Sequence, residues 1–108
     1  MKVLLDECVN GKLARRISGH DVSTVARQRW RGIKNGQLLS RAVAAGFGAF
    51  VTIDRSLSFQ NHIASYDIAV IVMGVPANAL EYLLPLVPQL LVVLAKPIPG
   101  TVTFLGAH

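Results

Sequence analysis

The sequence predicts an α/β fold in three layers, a central and mainly parallel sheet flanked by helices. Short apolar runs alternate with helical periodicity along the whole chain, the pattern that parallel sheets produce. The run from Ile68 to Met73 is apolar without interruption, as a strand buried on both faces must be. Two other runs, Val3-Leu4-Leu5 and Phe50-Val51-Thr52-Ile53, lead straight into carboxylates, at Asp6-Glu7 and at Asp54. Ligands of open α/β sheets collect outside the carboxyl ends of the strands, so these two runs also locate a candidate anionic pocket.

Each element has its own signal. Residues 2–5 read as the first strand, and Asn10 is a fitting N-cap for a helix over about 11–18. In that helix Leu13, Ala14 and Ile17 make an apolar stripe while Lys12, Arg15 and Arg16 face out. Gly19 stops it, Val22 to Val25 form a short strand, and Arg27 to Lys34 make a basic loop centred on Trp30. Asn35 is the next cap, opening a helix to about Ala45 with Leu38, Leu39, Ala42 and Val43 inward, and Gly46 ends it as a C′ glycine. A strand over 50–53 and a short helix within 58–64 come next, then the strand Ile68–Met73. A long apolar helical segment covers about 77–95, which Pro85 and Pro88 must kink or split. Thr101 to Leu105 alternates as a final strand at a sheet edge.

At 108 residues the chain is expected to form one domain spanning 1–108, long enough for a core without staples. A hydrophobic content of 52% argues against disorder. The single Cys8 excludes an intramolecular disulfide framework and fits a reducing, cytoplasmic setting. The apolar run after Met1-Lys2 is too short for a signal peptide. Membrane spanning takes about 20 predominantly apolar residues. Glu81, Gln89 and the prolines interrupt 77–95, so it reads as a core helix whose apolar excess also suits a partner or a homodimer contact.

The net charge of +5 is unevenly placed, since every lysine and arginine except Lys96 lies at or before Arg55. A basic half beside an acidic pocket suits a polyanion such as nucleic acid, and equally suits a solvated face that keeps a small protein in solution. Asp6 and Asp54 are the strongest chemical pair. Mg²⁺ takes oxygen ligands, commonly one or two carboxylates with water and substrate phosphate, and such an ion activates water and steadies a transferring phosphoryl group. Acids at strand ends also serve as caps for the next turn. Glu7 joins the pocket only if the backbone turns there. Asn35 either positions a metal-bound water or simply caps its helix. Ser56 and Ser58 either orient a phosphate or cap a turn. Trp30, among Arg27, Arg29, Arg31 and Lys34, is either a stacking platform within a phosphate-binding patch or a ring folded back over the sheet. Cys8 has no histidine at a catalytic spacing, and His20, His62 and His108 make no zinc pattern. Gly46-Phe47-Gly48 is no dinucleotide loop, because a strand follows it.

Leu4-Leu5-Asp6-Glu7, Gly19-His20-Asp21-Val22, Lys34-Asn35-Gly36-Gln37-Leu38-Leu39 and Val51-Thr52-Ile53-Asp54-Arg55 occur in that order, and Pro99-Gly100-Thr101-Val102-Thr103 closes the series. Together they resemble the small PIN-like family, often the toxin-like member of bacterial toxin–antitoxin pairs. The resemblance covers nearly the whole chain. It implies a PIN-like sheet and a Mg²⁺- or Mn²⁺-dependent endoribonuclease acting on RNA and silenced by a cognate antitoxin. Asp6 matches the first-strand acid and Asp54 the acid of the Thr-x-Asp strand end. Asn35 falls where such nucleases often carry their second acid, and Ser56 near a further one. Asp6, Glu7 and Asp54 are then the metal ligands, Asp6, Asp54 and Asn35 the catalytic set, and Trp30, Arg29, Arg31, Lys34, Arg55 and Ser56 the RNA contacts. The amide and hydroxyl departures lower the negative charge of the site. They admit a single ion, or a degenerate module that binds RNA or antitoxin without cutting. A receiver-type phosphoacceptor domain is a third reading, with Lys96 in the role of a late lysine. It is weakened by a fourth strand that ends in Met73-Gly74-Val75, without a hydroxyl residue.

Overall fold

The computed structural model describes residues 1–56 and 60–106. Five strands, β1 (Lys2–Leu5), β2 (Asp21–Thr24), β3 (Phe47–Thr52), β4 (Ala69–Gly74) and β5 (Val102–Gly106), form one sheet in the order β2-β1-β3-β4-β5. All four pairings are parallel, so the expected α/β architecture is present. The order reverses between β1 and β3, the position beyond whose carboxyl ends open α/β sheets place their ligands. Asp6 and Asp54 follow the two strands that flank it.

Strand alternation sorts the core into two clusters. Val3, Leu5, Val51, Ile71 and Met73 face a 3-10 helix, η1 (Gly11–Arg16), and the later helices α2 (Leu80–Leu83) and α3 (Val87–Ala95). Leu4, Phe50, Val70 and Val72 face α1 (Asn35–Ala44) and a second 3-10 helix, η2 (Gln60–Ser65). β3 and β4 are buried along nearly their whole length, which explains the near absence of polar side chains in them apart from Thr52. The first three crossovers share one hand: β1–β2 runs one way with η1 on its face, and β2–β3 and β3–β4 run the other way with α1 and η2 on the opposite face. The β4–β5 connection continues in that second direction, yet its helices lie on the η1 face, so its hand is reversed. Right-handed crossovers account for about 98% of such units, which makes this connection unusual.

Several boundaries differ from the sequence expectation for local reasons. The 11–18 helix is a tight 3-10 turn, started by the Asn10 side chain accepting the Lys12 N–H at 3.0 Å. Lys34, in extended conformation, precedes α1, so Asn35 is its first helical residue rather than its cap. At the other end Gly46, with φ of 88°, donates its N–H to Val43 and turns directly into β3, which starts at Phe47 rather than residue 50. The 77–95 segment is split: Pro85 lies in a 3-10 turn over Leu84–Leu86, and Pro88 sits in the first turn of α3, where its missing N–H is harmless. Among the described residues no helix is long and apolar enough to cross a membrane.

Candidate functional site

The site begins as an extension of the sheet. The Asp6 backbone N–H donates to Val51 at 2.9 Å, continuing the β1–β3 ladder one residue past β1. This brings the Asp6 side chain beside Thr52, the last residue of β3. The buried Thr52 hydroxyl donates to Asp6 Oδ2 at 2.8 Å and accepts the Asp54 backbone N–H at 3.0 Å. One hydroxyl therefore couples the two strand-end acids. Without a partner, the buried carboxylate and hydroxyl would each cost about 1–3 kcal/mol or more, so this bond fixes the strand ends.

Cys8 completes the inner shell. Its thiol lies 3.4 Å from Asp6 Oδ2 and 3.5 Å from Thr52 Oγ1. The thiol donates its proton to Asp6 Oδ2. Burial is the largest cause raising the Cys8 pKa, and the Asp6 charge and hydrogen bond push it the same way against opposing bonds from Ile53 and Thr52. The thiol stays protonated at neutral pH and is a poor nucleophile.

The remaining lone pairs limit what an ion can use. Asp6 Oδ1 accepts the Glu7 N–H at 2.8 Å and keeps one lone pair, while Oδ2 already receives hydroxyl and thiol protons. Half-buried Asp54 uses Oδ1 to accept the Ser56 N–H at 2.9 Å in an Asx turn. Among the described residues no group of three or more His, Cys, Asp or Glu side chains comes together in a metal-ligating arrangement. The Asp6 and Asp54 carboxylates at the two strand ends supply hard oxygen donors, with the Cys8 thiol beside Asp6. That set fits Mg²⁺ or Mn²⁺ supplemented by water and phosphate, and it does not fit a structural zinc.

A cleft of about 360 Å³ opens beside Asp6, walled by Glu7, Asn10, Thr24, Arg31 and Asn78. Asn78, from the β4–α2 loop, accepts the Asn10 N–H through Oδ1 at 2.6 Å and joins two segments far apart in sequence. Glu7 does turn toward this side: its Oε1 accepts the Gly32 N–H at 3.3 Å, tying the basic loop to the end of β1. Asp54 and Asn35 are not among the residues lining the cleft.

The other expected RNA contacts are scattered. Trp30 is half-buried, its ring edge-on to Phe47 with centroids 6.1 Å apart, packed against the α1-side core. Arg29, Lys34, Arg55 and Ser56 are exposed. Arg29 has φ of 65°, uncommon outside glycine. The bonds from Trp30 to Val25 and from Arg29 to Ala26 form a Schellman closure with Arg29 at its left-handed position. Asn35 stands at the start of α1, at the same end of the sheet as both acids. Ser58 and His108 lie outside the described residues. Lys96 ends α3 and leads into the amino end of β5, so it stands at the end of the sheet opposite Asp54 and cannot act with it as a receiver lysine would. Thr52 and Asn78 were not singled out from the sequence as site residues. Thr52 carried a signal, a hydroxyl two residues before an acid in a buried strand, whereas Asn78 carried none. No protein-family model, curated protein or solved structure matches the chain.

Proposed function

We propose that the protein is a metal-dependent endoribonuclease of the PIN-like type, the toxin of a cytoplasmic toxin–antitoxin pair, acting at the Asp6–Asp54 pair. The observation that carries this reading is the Thr52 hydroxyl, which binds Asp6 Oδ2 and the Asp54 backbone at the point where strand order reverses. The ordered motif resemblance supports it, as do the hard carboxylate oxygens at the two strand ends. A Mg²⁺ or Mn²⁺ held there would supply Lewis acidity and an activated water. The chain's own part is positional. Thr52, Cys8 and the Glu7 N–H hold the Asp6 carboxylate and leave one Oδ1 lone pair for a ligand, and Asp54 would add a second carboxylate. Arg31, on the cleft wall, is placed to hold a phosphate oxygen beside Asp6. On α3, Val92 is 74% exposed, and this apolar face suits contact with the antitoxin.

A second reading is favoured by one specific observation: three of the four Asp6 acceptor sites are already used within the protein. A carboxylate so engaged is a weak ligand, and the chain would then bind RNA or antitoxin without turnover. Single-stranded RNA incubated with Mg²⁺ or Mn²⁺ separates the two. Cleavage by the native chain, lost in Asp6→Ala and Asp54→Ala, supports the nuclease. Metal-independent RNA binding with no product supports the module.

A further inference from the structure

A second cleft, of about 410 Å³, lies alongside η1 and is lined by Gly11, Lys12, Arg15, Arg16 and Leu80. We propose that it is the entry track for the phosphodiester backbone of single-stranded RNA, leading into the Asp6 cleft; this rests on the nuclease reading only for where the strand goes next. Gly11 lines both clefts, and the same two chain segments wall them: Asn10 and Asn78 bound the Asp6 cleft, Lys12 and Leu80 the basic one. The Asn78–Asn10 hydrogen bond joins those segments where the clefts meet. The two clefts therefore adjoin at Gly11, with the Asn10–Asn78 bond at their boundary.

Chemistry fixes the ligand class. Lys12, Arg15 and Arg16 are all exposed, and no carboxylate is among the residues that line their cleft. Three cations from two adjacent turns of one short helix, with no acid on the walls to neutralise them, form a site for an anion with several charges in series. The expected aromatic-and-arginine loop is less suited to that task. Its Trp30 is packed against Phe47, and Gly32 within it is bound to Glu7. Arg31 adds a further cation to the Asp6 cleft itself. A strand laid across the two adjoining clefts would have phosphates held by Lys12, Arg15 and Arg16 in one and by Arg31 in the other, so the track itself selects no sequence.

Fluorescence anisotropy with a labelled 12-mer RNA and the matching DNA, in chelator so that no cleavage intervenes, tests the track. The salt slope for single strands is about −0.7 per neutralised phosphate, so Lys12→Ala/Arg15→Ala/Arg16→Ala should flatten the slope by about 2. Between 50 and 200 mM salt that difference amounts to a roughly 20-fold change in relative affinity. Lys12→Ala and Arg16→Ala alone should each flatten it by about 0.7, which keeps the test valid if the triple variant folds poorly. RNA bound in preference to DNA supports the stated ligand, whereas equal binding narrows it to the shared phosphodiester. A triple variant that melts like the native chain and keeps its affinity and slope overturns the track, even if the native chain cuts RNA. Binding lost in the variant with no cleavage by the native chain overturns the nuclease and leaves the track standing.

Discussion

Thr52 stands 2.8 Å from Asp6 Oδ2, a hydrogen bond across 46 positions of sequence that sets the end of β1 against the end of β3. The Thr52 oxygen also accepts the Asp54 N–H, so both acids depend on one hydroxyl.

Thr52→Val tests that dependence. It keeps shape and removes the hydroxyl, leaving the Asp54 N–H and one Asp6 oxygen short of a partner. Urea unfolding should show a loss of about 1–3 kcal/mol. Thr52→Ser should recover most of it, and RNA cleavage should follow the same order.

Cys8 predicts an alkaline limit. Its folded pKa is raised, so the folded state holds the thiol proton more tightly than the unfolded chain does. The resulting stabilisation is complete below the unfolded thiol pKa of about 8.5 and is lost as pH rises through the folded value. Thermal melts of the native chain should therefore decline above that pH, and Cys8→Ala should remove this part of the decline. Reaction of the native thiol with a disulfide reagent should be slow at pH 7.

Arg29 holds a left-handed conformation where glycine is usual. Arg29→Gly relieves that conformation, against glycine's larger unfolded entropy, and should stabilise the fold by up to about 1 kcal/mol in urea unfolding. A loss of stability would mean that the arginine side chain contributes more than its backbone costs.

Asn78→Ala removes the acceptor for the Asn10 N–H and should cost about 0.5–1.5 kcal/mol in the same measurement. Because this bond holds η1 against the β4–α2 loop, RNA affinity should fall as well, without the change in salt slope that removal of a cation brings.

Much of the architecture was legible because its signals are local. Apolar runs that end in acids marked β1 and β3, Gly46 marked the end of α1, and the prolines marked the split of the last helical segment. What depended on the register between distant strands was not. The coupling of Thr52 to Asp6 exists only because β1 and β3 are neighbours, and the Asn10–Asn78 bond only because the last crossover packs on the η1 face. Lys12, Arg15 and Arg16 read as a solvated helix face in isolation; Leu80, from a helix across the groove, turns that face into one wall of a cleft. Trp30 shows the converse, since charged neighbours in sequence do not reveal that its ring rests on Phe47.

The central claim is that Asp6 and Asp54 together hold one divalent ion beside a phosphodiester. Calorimetric titration of the native chain with Mn²⁺, beside Asp54→Asn, tests it most directly. The account predicts one ion per chain and binding at least about 10-fold weaker in the variant. No Mn²⁺ bound by the native chain, or equal binding by both proteins, would contradict it.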